Sequence, residues 1–372
     1  MDGSTFRRIT RPMASYNLRG DYMRISNRVK IAAVYGSVFL GAGFASGQEL
    51  LQYFVGFGRI GIWGLIVAGI LFALTGWAVL AICRREKIYS YSGLMRFLLG
   101  EKLGVITEWL VVGFLFCLFV AMLAGAGATA RQAFYIPFTV GSLVAGLMVF
   151  AVLCFGLEGI VKVNLILAPF MVIGGIFIGL FSFFTYTSPA FAGIGAHLGA
   201  AWLVAAVVYA SYNLVTGVPV LAATSELAVT KRDARFGGLV GGGIITVLGI
   251  SMALPLFLYY MDIISLEIPF LYIAVGYGRG FTMLYLAVLI TALLTTAACN
   301  AFAVLNAVES RHETPKRGRI KIAAAICLVG VFASHIGFSN IVAYVYPLFG
   351  VLGVFKIAVI LLSAVRKKIV IR

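Results

Sequence analysis

The stretch GAGFASGQE, residues 41–49, lies in the middle of an apolar run over residues 31–57. Because about 20 apolar residues span the hydrocarbon core of a bilayer, the run predicts a membrane-crossing helix. Its centre, however, holds Gly41, Gly43 and Gly47 and then two polar residues. Glycine lets a helix unwind at low steric cost, and a break at mid-membrane is typical of a transporter's binding site. Close helix packing is the alternative, since Gly43 and Gly47 also form a small-xxx-small pattern.

The composition is that of an integral membrane protein. Hydrophobic residues make up 62% of the 372 residues and charged residues only 11%, whereas soluble proteins have roughly 25% charged residues. The net charge of +16 would suggest a nucleic-acid partner in a soluble chain, but these charges lie between apolar runs and report topology. We therefore predict a lipid bilayer and a small solute as partners, and no nucleic acid. The five cysteines lie in apolar segments without a CxxC pair, so neither a disulfide framework nor a metal site or cofactor is indicated.

Ten apolar stretches are long enough to be membrane-spanning helices. They cover residues 31–57, 60–82, 104–130, 136–157, 163–187, 199–225, 236–260, 280–308, 320–337 and 340–365. If the N terminus is inside, the loops on the outer side hold only Arg59, Arg131 and Arg279 among the 29 Lys and Arg residues. The positive-inside rule thus predicts a multi-pass protein of the cell membrane with both termini in the cytoplasm. Residues 1–30 are predicted to form a basic cytoplasmic arm, and 366–372 a cytoplasmic tail.

A second polar interruption falls in the sixth span, where YASYNLVTGVP occupies residues 209–219. Its Pro219 removes a helix hydrogen bond at the same depth as the first break. The two interruptions lie five spans apart, and because five is odd the second half enters the membrane in the opposite sense. Matching interruptions in two inverted halves favour a binding site over close helix packing as the explanation. We therefore predict an all-α fold of ten transmembrane helices in two inverted five-helix repeats, 31–187 and 199–365, with helices one and six broken.

The two breaks predict a substrate site built largely from backbone groups. Half-helix N termini suit a carboxylate and C termini suit a cation, so a zwitterion matches both. The residues predicted around the substrate are Gly41, Ala42, Gly43, Phe44, Ser46, Tyr209, Tyr212, Asn213 and Thr216, with Gln48 nearby. For each polar side chain alone, a hydrogen bond to its own helix is an equally good explanation. A stripe on span three is a candidate pocket wall, although such stripes are more often core: Phe114, Phe116, Phe119 and Met122.

Two acidic residues occupy corresponding positions in the two halves, Glu49 after the first break and Glu226 at the end of span six. Ionisable residues this close to the membrane interior are costly and often functional, for instance as a gate or a proton-linked group. A helix end that faces water is the favoured explanation for both. The segment from Asp262 to Arg279 is long enough for a short helix that would act as an outer lid.

Span eight carries adjacent hydroxyls at Thr295 and Thr296, one turn after Ala292. With backbone carbonyls they would form an all-oxygen cage suited to a hard cation. Threonines in membrane helices also donate to the preceding turn, and the spacing alone favours this second explanation.

The runs GAGFASGQELLQYF at 41–54 and SYNLVTGVP at 211–219 resemble the YkvI-like amino acid permeases. These belong to the amino acid–polyamine–organocation superfamily, which has the leucine-transporter-type fold. The resemblance covers essentially all ten spans and implies a secondary active transporter for an amino acid or a similar small zwitterion. It also implies that a bundle of spans one, two, six and seven rocks against the rest. A neutral substrate is favoured, because no side-chain charge is visible at the centre of the site.

The resemblance further implies a coupling ion. In sodium-coupled relatives, sodium lies between carbonyls just before the first break and a carbonyl and two hydroxyls of span eight. The matching residues here are Ser37, Leu40, Ala292, Thr295 and Thr296. Some proton-coupled relatives have a lysine of span five in this site, and the aligned residue here is Met171, so sodium is favoured over that kind of coupling.

Other classes of protein fit the sequence less well. A membrane enzyme would need a nucleophile with a base, or metal ligands at mid-depth, and the three histidines are scattered. A channel would show a charged ring or a repeated filter loop. A divalent-metal transporter would need acidic, asparagine or methionine ligands at both breaks, which Asn213 alone does not supply. A proton-coupled carrier, an uncoupled exchanger of another small solute and a transporter-derived sensor stay open.

Overall fold

The computed structural model describes residues 26–38, 41–155, 199–309 and 316–369, and all its regular elements are helices. The first half contains α1 (Asn27–Ser37), α2 (Ala42–Ser46), α3 (Gln48–Tyr53), α4 (Ile60–Glu86), α5 (Tyr91–Phe134) and α6 (Phe138–Phe155). The second half contains α7 (Ala201–Thr224), α8 (Lys231–Leu258), α9 (Tyr260–Ile263), α10 (Pro269–Gly276), α11 (Arg279–Glu309), α12 (Lys316–Ser334), α13 (Phe338–Asn340) and α14 (Tyr346–Ile369). A π-helical turn, Ile341–Val345, joins the last two.

Six of the helical segments in the described ranges are long and apolar enough to cross a membrane. They are Ile60–Glu86, Tyr91–Phe134, Ala201–Leu227, Lys231–Leu258, Arg279–Glu309 and Phe338–Arg366. Phe138–Cys154 is apolar but shorter. The prediction of an all-helical membrane protein is confirmed. The number of ten spans stays a prediction, because span five at 163–187 lies outside the described residues.

Span six differs from the prediction. The prediction that helix six is broken was wrong, since α7 continues without interruption from Ala201 to Thr224 and includes Pro219. Its polar side chains return to their own helix: Asn213 Nδ2 donates to the Tyr209 carbonyl (3.0 Å) and Thr216 Oγ1 to the Asn213 carbonyl (2.9 Å). Proline is tolerated in membrane helices when such side chains and neighbouring helices satisfy the backbone.

The helices pack in two groups. One group consists of α1, α4, α7 and α8, with α14 against α7, and the other of α5, α6, α11 and α12. This division agrees with the bundle of spans one, two, six and seven that the resemblance implies. The short helix α3 also belongs to the first group, since it contacts both α7 and α8.

Glycines on α8 set the spacing of the first group. A Cβ at Gly237 would lie 2.5 Å from Ile31 of α1, whereas a Cβ at Gly238 would overlap the backbone of Trp77 in α4. One turn later, a Cβ at Gly242 would lie 2.5 Å from Ala73 Cα. Two faces of α8 therefore allow close approach of two different helices, as small residues do in membrane interfaces. A hydrogen bond also links α1 to α4 in this group, because the Tyr35 hydroxyl of α1 donates to the Phe72 carbonyl of α4 (2.8 Å).

We expect Gly238→Ala to lower the melting temperature of the purified protein by several degrees, because the added methyl group forces α4 and α8 apart. Overpacking of this kind costs about 1–3 kcal/mol. Gly243→Ala is the matched control, since a Cβ at Gly243 meets nothing within 4 Å. Equal melting temperatures for the two variants would contradict the assigned contact.

Candidate functional site

The predicted break in the first span is present at residues 41–47. Gly41 is extended, with ψ at 176°, and the five-residue helix α2 follows it. Gly47 has φ at +83°, a left-handed conformation that favours glycine, and it separates α2 from α3. A Cβ at Gly47 would also lie 2.6 Å from the Phe270 ring of α10. Both the backbone conformation and the close neighbour therefore require glycine here.

Ser46 stabilises the break from within. Its Oγ donates to the Gly43 carbonyl (2.8 Å) and accepts the Gln48 N–H (3.2 Å). The hydroxyl thus bridges the last turn of α2 and the first residue of α3, and it satisfies backbone groups that the break would leave free. Of the two explanations for Ser46, the structure supports local hydrogen bonding.

Glu49 lies at the centre of the site. It occupies the first turn of α3 with only 8% of its surface exposed, and its Oε2 accepts a hydrogen bond from the Tyr212 hydroxyl of α7 (2.9 Å). Its Oε1 occupies the space that a side chain at position 43 would fill, so Gly43 is needed to admit the carboxylate. Placement of Glu49 at a water-facing helix end was the wrong explanation. Glu226, its counterpart at the end of α7, is exposed as expected.

Four buried tyrosines surround this carboxylate, and we call them the tyrosine cage: Tyr53, Tyr209, Tyr212 and Tyr346. The Tyr212 ring lies 5.4 Å from the rings of Tyr53 and Tyr209 and 5.0 Å from that of Tyr346. Phe54, Phe72 and Phe114 add edge contacts around the cage. Tyr53 and Tyr346 were not predicted from the sequence.

The charge of Glu49 has no ionic counterpart in the described part of the chain. None of the ion pairs formed there includes Glu49. A buried carboxylate is costly unless a proton or a cation neutralises it. Aromatic faces around a carboxylate attract cations as well, ammonium groups among them. The tyrosine cage with Glu49 is therefore suited chemically to a positively charged group.

A cavity of about 650 Å³ reaches the cage at Tyr53 and is lined in part by Tyr260 of α9 and the following Ile264 and Ser265. Tyr53 lines this cavity, and its hydroxyl donates to the Val342 carbonyl in the π-helical turn (3.1 Å). Gln48 lines it too, with its amide donating to Ser339 Oγ (2.8 Å), while the buried Oε1 of Gln48 accepts no hydrogen bond from described residues. Tyr53 is thus the cage residue that borders this cavity.

The predicted lid segment contains the short helix α10, which covers the break. Its Phe270 ring packs on Gly47. Gln132 at the end of α5 exchanges two hydrogen bonds with the backbone of Ile268 (3.0 and 3.2 Å). Glu267 accepts from Arg131 Nη2 (2.9 Å) and from the Phe338 N–H (3.1 Å). These contacts hold the segment closed over the site on this side.

The predicted sodium ligands are only partly described. Ala292 and Thr295 are buried on α11, and Thr295 Oγ1 donates to the Ala292 carbonyl (3.2 Å). Ser37 Oγ donates to the Val34 carbonyl (2.9 Å), and Leu40 lies outside the described residues. Helix α11 does contact α2.

Tyr285 on α11 joins this helix to the break, because its hydroxyl donates to the Ala45 carbonyl (3.1 Å). Sequence analysis did not single out this residue. The available signal was its position seven residues before Ala292, which places both on one helix face.

The other predicted residues contribute no polar side chain to the cage. Asn213 and Thr216 are engaged by their own helix. On span three, Phe114 contacts Tyr212 and Tyr346, whereas Phe119 packs on Phe116 and against Gly330 of α12. Phe44 and Met122 are buried, and nothing is described for the side chain of Ala42. In the described ranges, no three His, Cys, Asp or Glu side chains lie together as metal ligands would.

Comparison with known proteins gives relatives and solved neighbours, although no model of a known family matches the chain. The uncharacterized membrane protein YkvI of Bacillus subtilis is 28% identical over 322 residues, which cover 86% of this chain and 91% of YkvI. The uncharacterized protein YyaD of the same organism is 24% identical over 340 residues, covering 90% of this chain and 96% of YyaD.

Solved structures with a similar fold include a manganese transporter and MhsT. A manganese transporter of Eremococcus coleocola superposes with a TM-score of 0.62 at 14% identity, over 94% of this chain and 83% of that one. MhsT in complex with L-phenylalanine superposes with a TM-score of 0.63 at 15% identity, over 91% of this chain and 89% of that one. Both have the leucine-transporter-type fold, as the sequence resemblance implied, and neither is an enzyme. The chain is thus similar to YkvI over most of its length, and its fold is that of leucine-transporter-type membrane transporters.

Proposed function

We propose that the protein is a secondary active transporter that carries an amino acid or a similar small zwitterion across the cell membrane. The observation that carries this proposal is the carboxylate of Glu49, buried beside a helix break and bonded to Tyr212. The ammonium group of a small substrate supplies the positive charge that neutralises this buried carboxylate. A binding site of this kind at a broken helix is typical of transporters with this fold.

The substrate's two ends are assigned to two parts of the site. The ammonium group lies in the tyrosine cage against Glu49, where charge and aromatic faces both attract it. The carboxylate lies at the start of α2, because the first N–H groups of a helix have no partner within it. This assignment changes one expectation, namely that the centre of the site carries no charged side chain. A zwitterion remains consistent with the charge, and a purely cationic amine is its closest competitor.

Transport proceeds by alternating access. The group α1, α4, α7 and α8 moves against α5, α6, α11 and α12, and α10 opens and closes one entrance. The excess of Lys and Arg in the loops on one side favours the outer face for that entrance and the cytoplasm for both termini.

The coupling ion is sodium, bound by Ser37, Leu40, Ala292, Thr295 and Thr296. Support comes from the contact of α11 with α2 and from the hydroxyl pattern of span eight.

A proton is the second candidate for the coupling ion, and Glu49 is the specific observation in its favour. The hydrogen-bond partner of Glu49 is the Tyr212 hydroxyl on α7, and the rings of Tyr53, Tyr209 and Tyr346 pack around the Tyr212 ring. None of them carries a positive charge. A carboxylate in this setting takes up either the substrate's ammonium or a proton, and a proton-coupled cycle would alternate the two.

The first experiment is a thermal-shift screen of the purified protein with single amino acids, in sodium and in potassium. A ligand that binds only the folded state raises the melting temperature as its saturation rises. We expect one amino acid to stabilise the protein, and to do so more strongly in sodium. Stabilisation independent of sodium but dependent on pH would favour the proton. No shift with any amino acid or amine would contradict the proposal.

We expect Glu49→Gln to weaken binding of the stabilising amino acid at least about tenfold, since a charged partner of the ammonium is lost. The amide keeps the shape and can still accept from Tyr212, so the melting temperature without ligand should not fall. Calorimetric titration measures the affinity. Glu226→Gln is the matched control, because its carboxylate is exposed. Equal affinities for the two variants would remove Glu49 from the site.

We expect Thr295→Ala to weaken the sodium dependence of binding without preventing membrane insertion, because a hydroxyl ligand is removed. The measurement is the sodium concentration that gives half-maximal stabilisation by the amino acid. Thr291→Ala, one turn away, is the matched control, since the Thr291 hydroxyl is bonded to the Ala287 carbonyl (2.6 Å) and lies at the exposed side of α11. An unchanged sodium response in Thr295→Ala would rule out the sodium site.

A further inference from the structure

A basic groove lies at the membrane end opposite α10. It is formed by the last turns of α4, the first turn of α8 and the end of α14, and encloses about 610 Å³. Its basic side chains are Arg84, Arg85, Lys231, Arg232 and Arg235. Its apolar wall consists of Trp77, Ala81, Ile82 and Ala364. The mechanism of the proposed transporter uses none of these residues.

Two acidic neighbours, Glu86 and Asp233, offset only part of the positive charge of the five basic side chains in the groove. Glu86 pairs with Arg85 (2.8 Å). Asp233 is occupied by the cap of α8, where it accepts hydrogen bonds from the N–H and the hydroxyl of Thr230 (2.8 Å each). The Nε atom of Arg84 is buried and has no hydrogen-bond acceptor among the described residues. A buried donor without an acceptor is costly, so an anion that reached Arg84 would satisfy this N–H group.

The apolar wall distinguishes this groove from a simple patch of surface charge. Trp77 lies two turns before Arg84 and Arg85 on α4, so the groove is apolar on the membrane side and cationic on the water side. Tryptophan and basic residues take these relative positions at membrane interfaces. A ligand that fills such a groove has an anionic end and an apolar end. The N-terminal arm of the chain does not match this description, because it is itself basic, with Arg7, Arg8 and Arg11.

We propose that this groove binds the phosphate headgroup of an anionic phospholipid, with an acyl chain along Trp77. Guanidinium groups bind phosphate oxygens in pairs of hydrogen bonds, so the arginines of the groove are the expected ligands, Arg84 and Arg235 among them. Basic pockets between membrane helices are known to recognise anionic lipids in this way. Because the groove connects α4 with α8, the lipid would brace two helices of the first group. This inference does not depend on which solute the protein carries.

The test uses tryptophan fluorescence of the full chain in mixed micelles. Phosphatidylglycerol and phosphatidylcholine with brominated acyl chains are titrated separately, since bromine quenches a tryptophan that it touches. Trp77→Phe identifies the part of the signal that comes from Trp77. We expect brominated phosphatidylglycerol to quench Trp77 at about tenfold lower mole fraction than brominated phosphatidylcholine. Equal quenching by the two lipids would overturn the proposal.

Charge variants separate the groove from the general surface charge. Arg84→Gln with Arg235→Gln should bring the phosphatidylglycerol curve to that of phosphatidylcholine. Lys102→Gln with Lys321→Gln removes the same charge from α5 and α12, outside the groove, and should leave the curve unchanged. An equal effect of both pairs would overturn the proposal. So would displacement of phosphatidylglycerol by equimolar inorganic phosphate, which would show a site for the free anion rather than for a lipid.

Discussion

The hydrogen bond between the Tyr212 hydroxyl and the buried Glu49 carboxylate is the constraint on which the centre of the molecule depends. A carboxylate can enter this interior only where the backbone makes room, and Gly43 makes that room by having no side chain. It must also approach from a helix that begins at this depth, and Gly47 permits such a start through its left-handed conformation. Gly43 is therefore explained by one acidic side chain, and Gly47 by the restart of the helix and by the Phe270 ring that packs on it.

The opposing surface is rigid for a complementary reason. Helix α7 is unbroken, so Tyr209 and Tyr212 are presented from a regular helix face. Helix α14 supports that face from behind, because Gly350 and Gly353 lie against the backbone of Val208 and Ser211. One half of the site is thus built on a break and the other on a continuous helix.

Structural features that are determined by neighbouring residues could be predicted from the sequence. Features that are determined by contacts between distant residues could not. Apolar length and three clustered glycines were enough for the helical membrane class and for the first break. The polar residues of span six gave a similar signal, but Asn213 and Thr216 use their polarity within one turn and keep the helix intact. The burial of Glu49 depends on a partner 163 residues away, which no local pattern reveals. The sodium ligands and the two-repeat boundaries stay predictions.

The bridge made by Glu267 has a consequence for the closed entrance. One carboxylate joins the end of α5 to the start of α13, through Arg131 on one oxygen and the Phe338 N–H on the other. If this segment is the lid proposed above, its withdrawal has to break both links, together with the hydrogen bonds between Gln132 and Ile268. The Arg131 side chain is 62% exposed, and an ion pair in contact with water is weakened by dissolved salt. In the proposed transport cycle, higher ionic strength would therefore favour opening of this entrance.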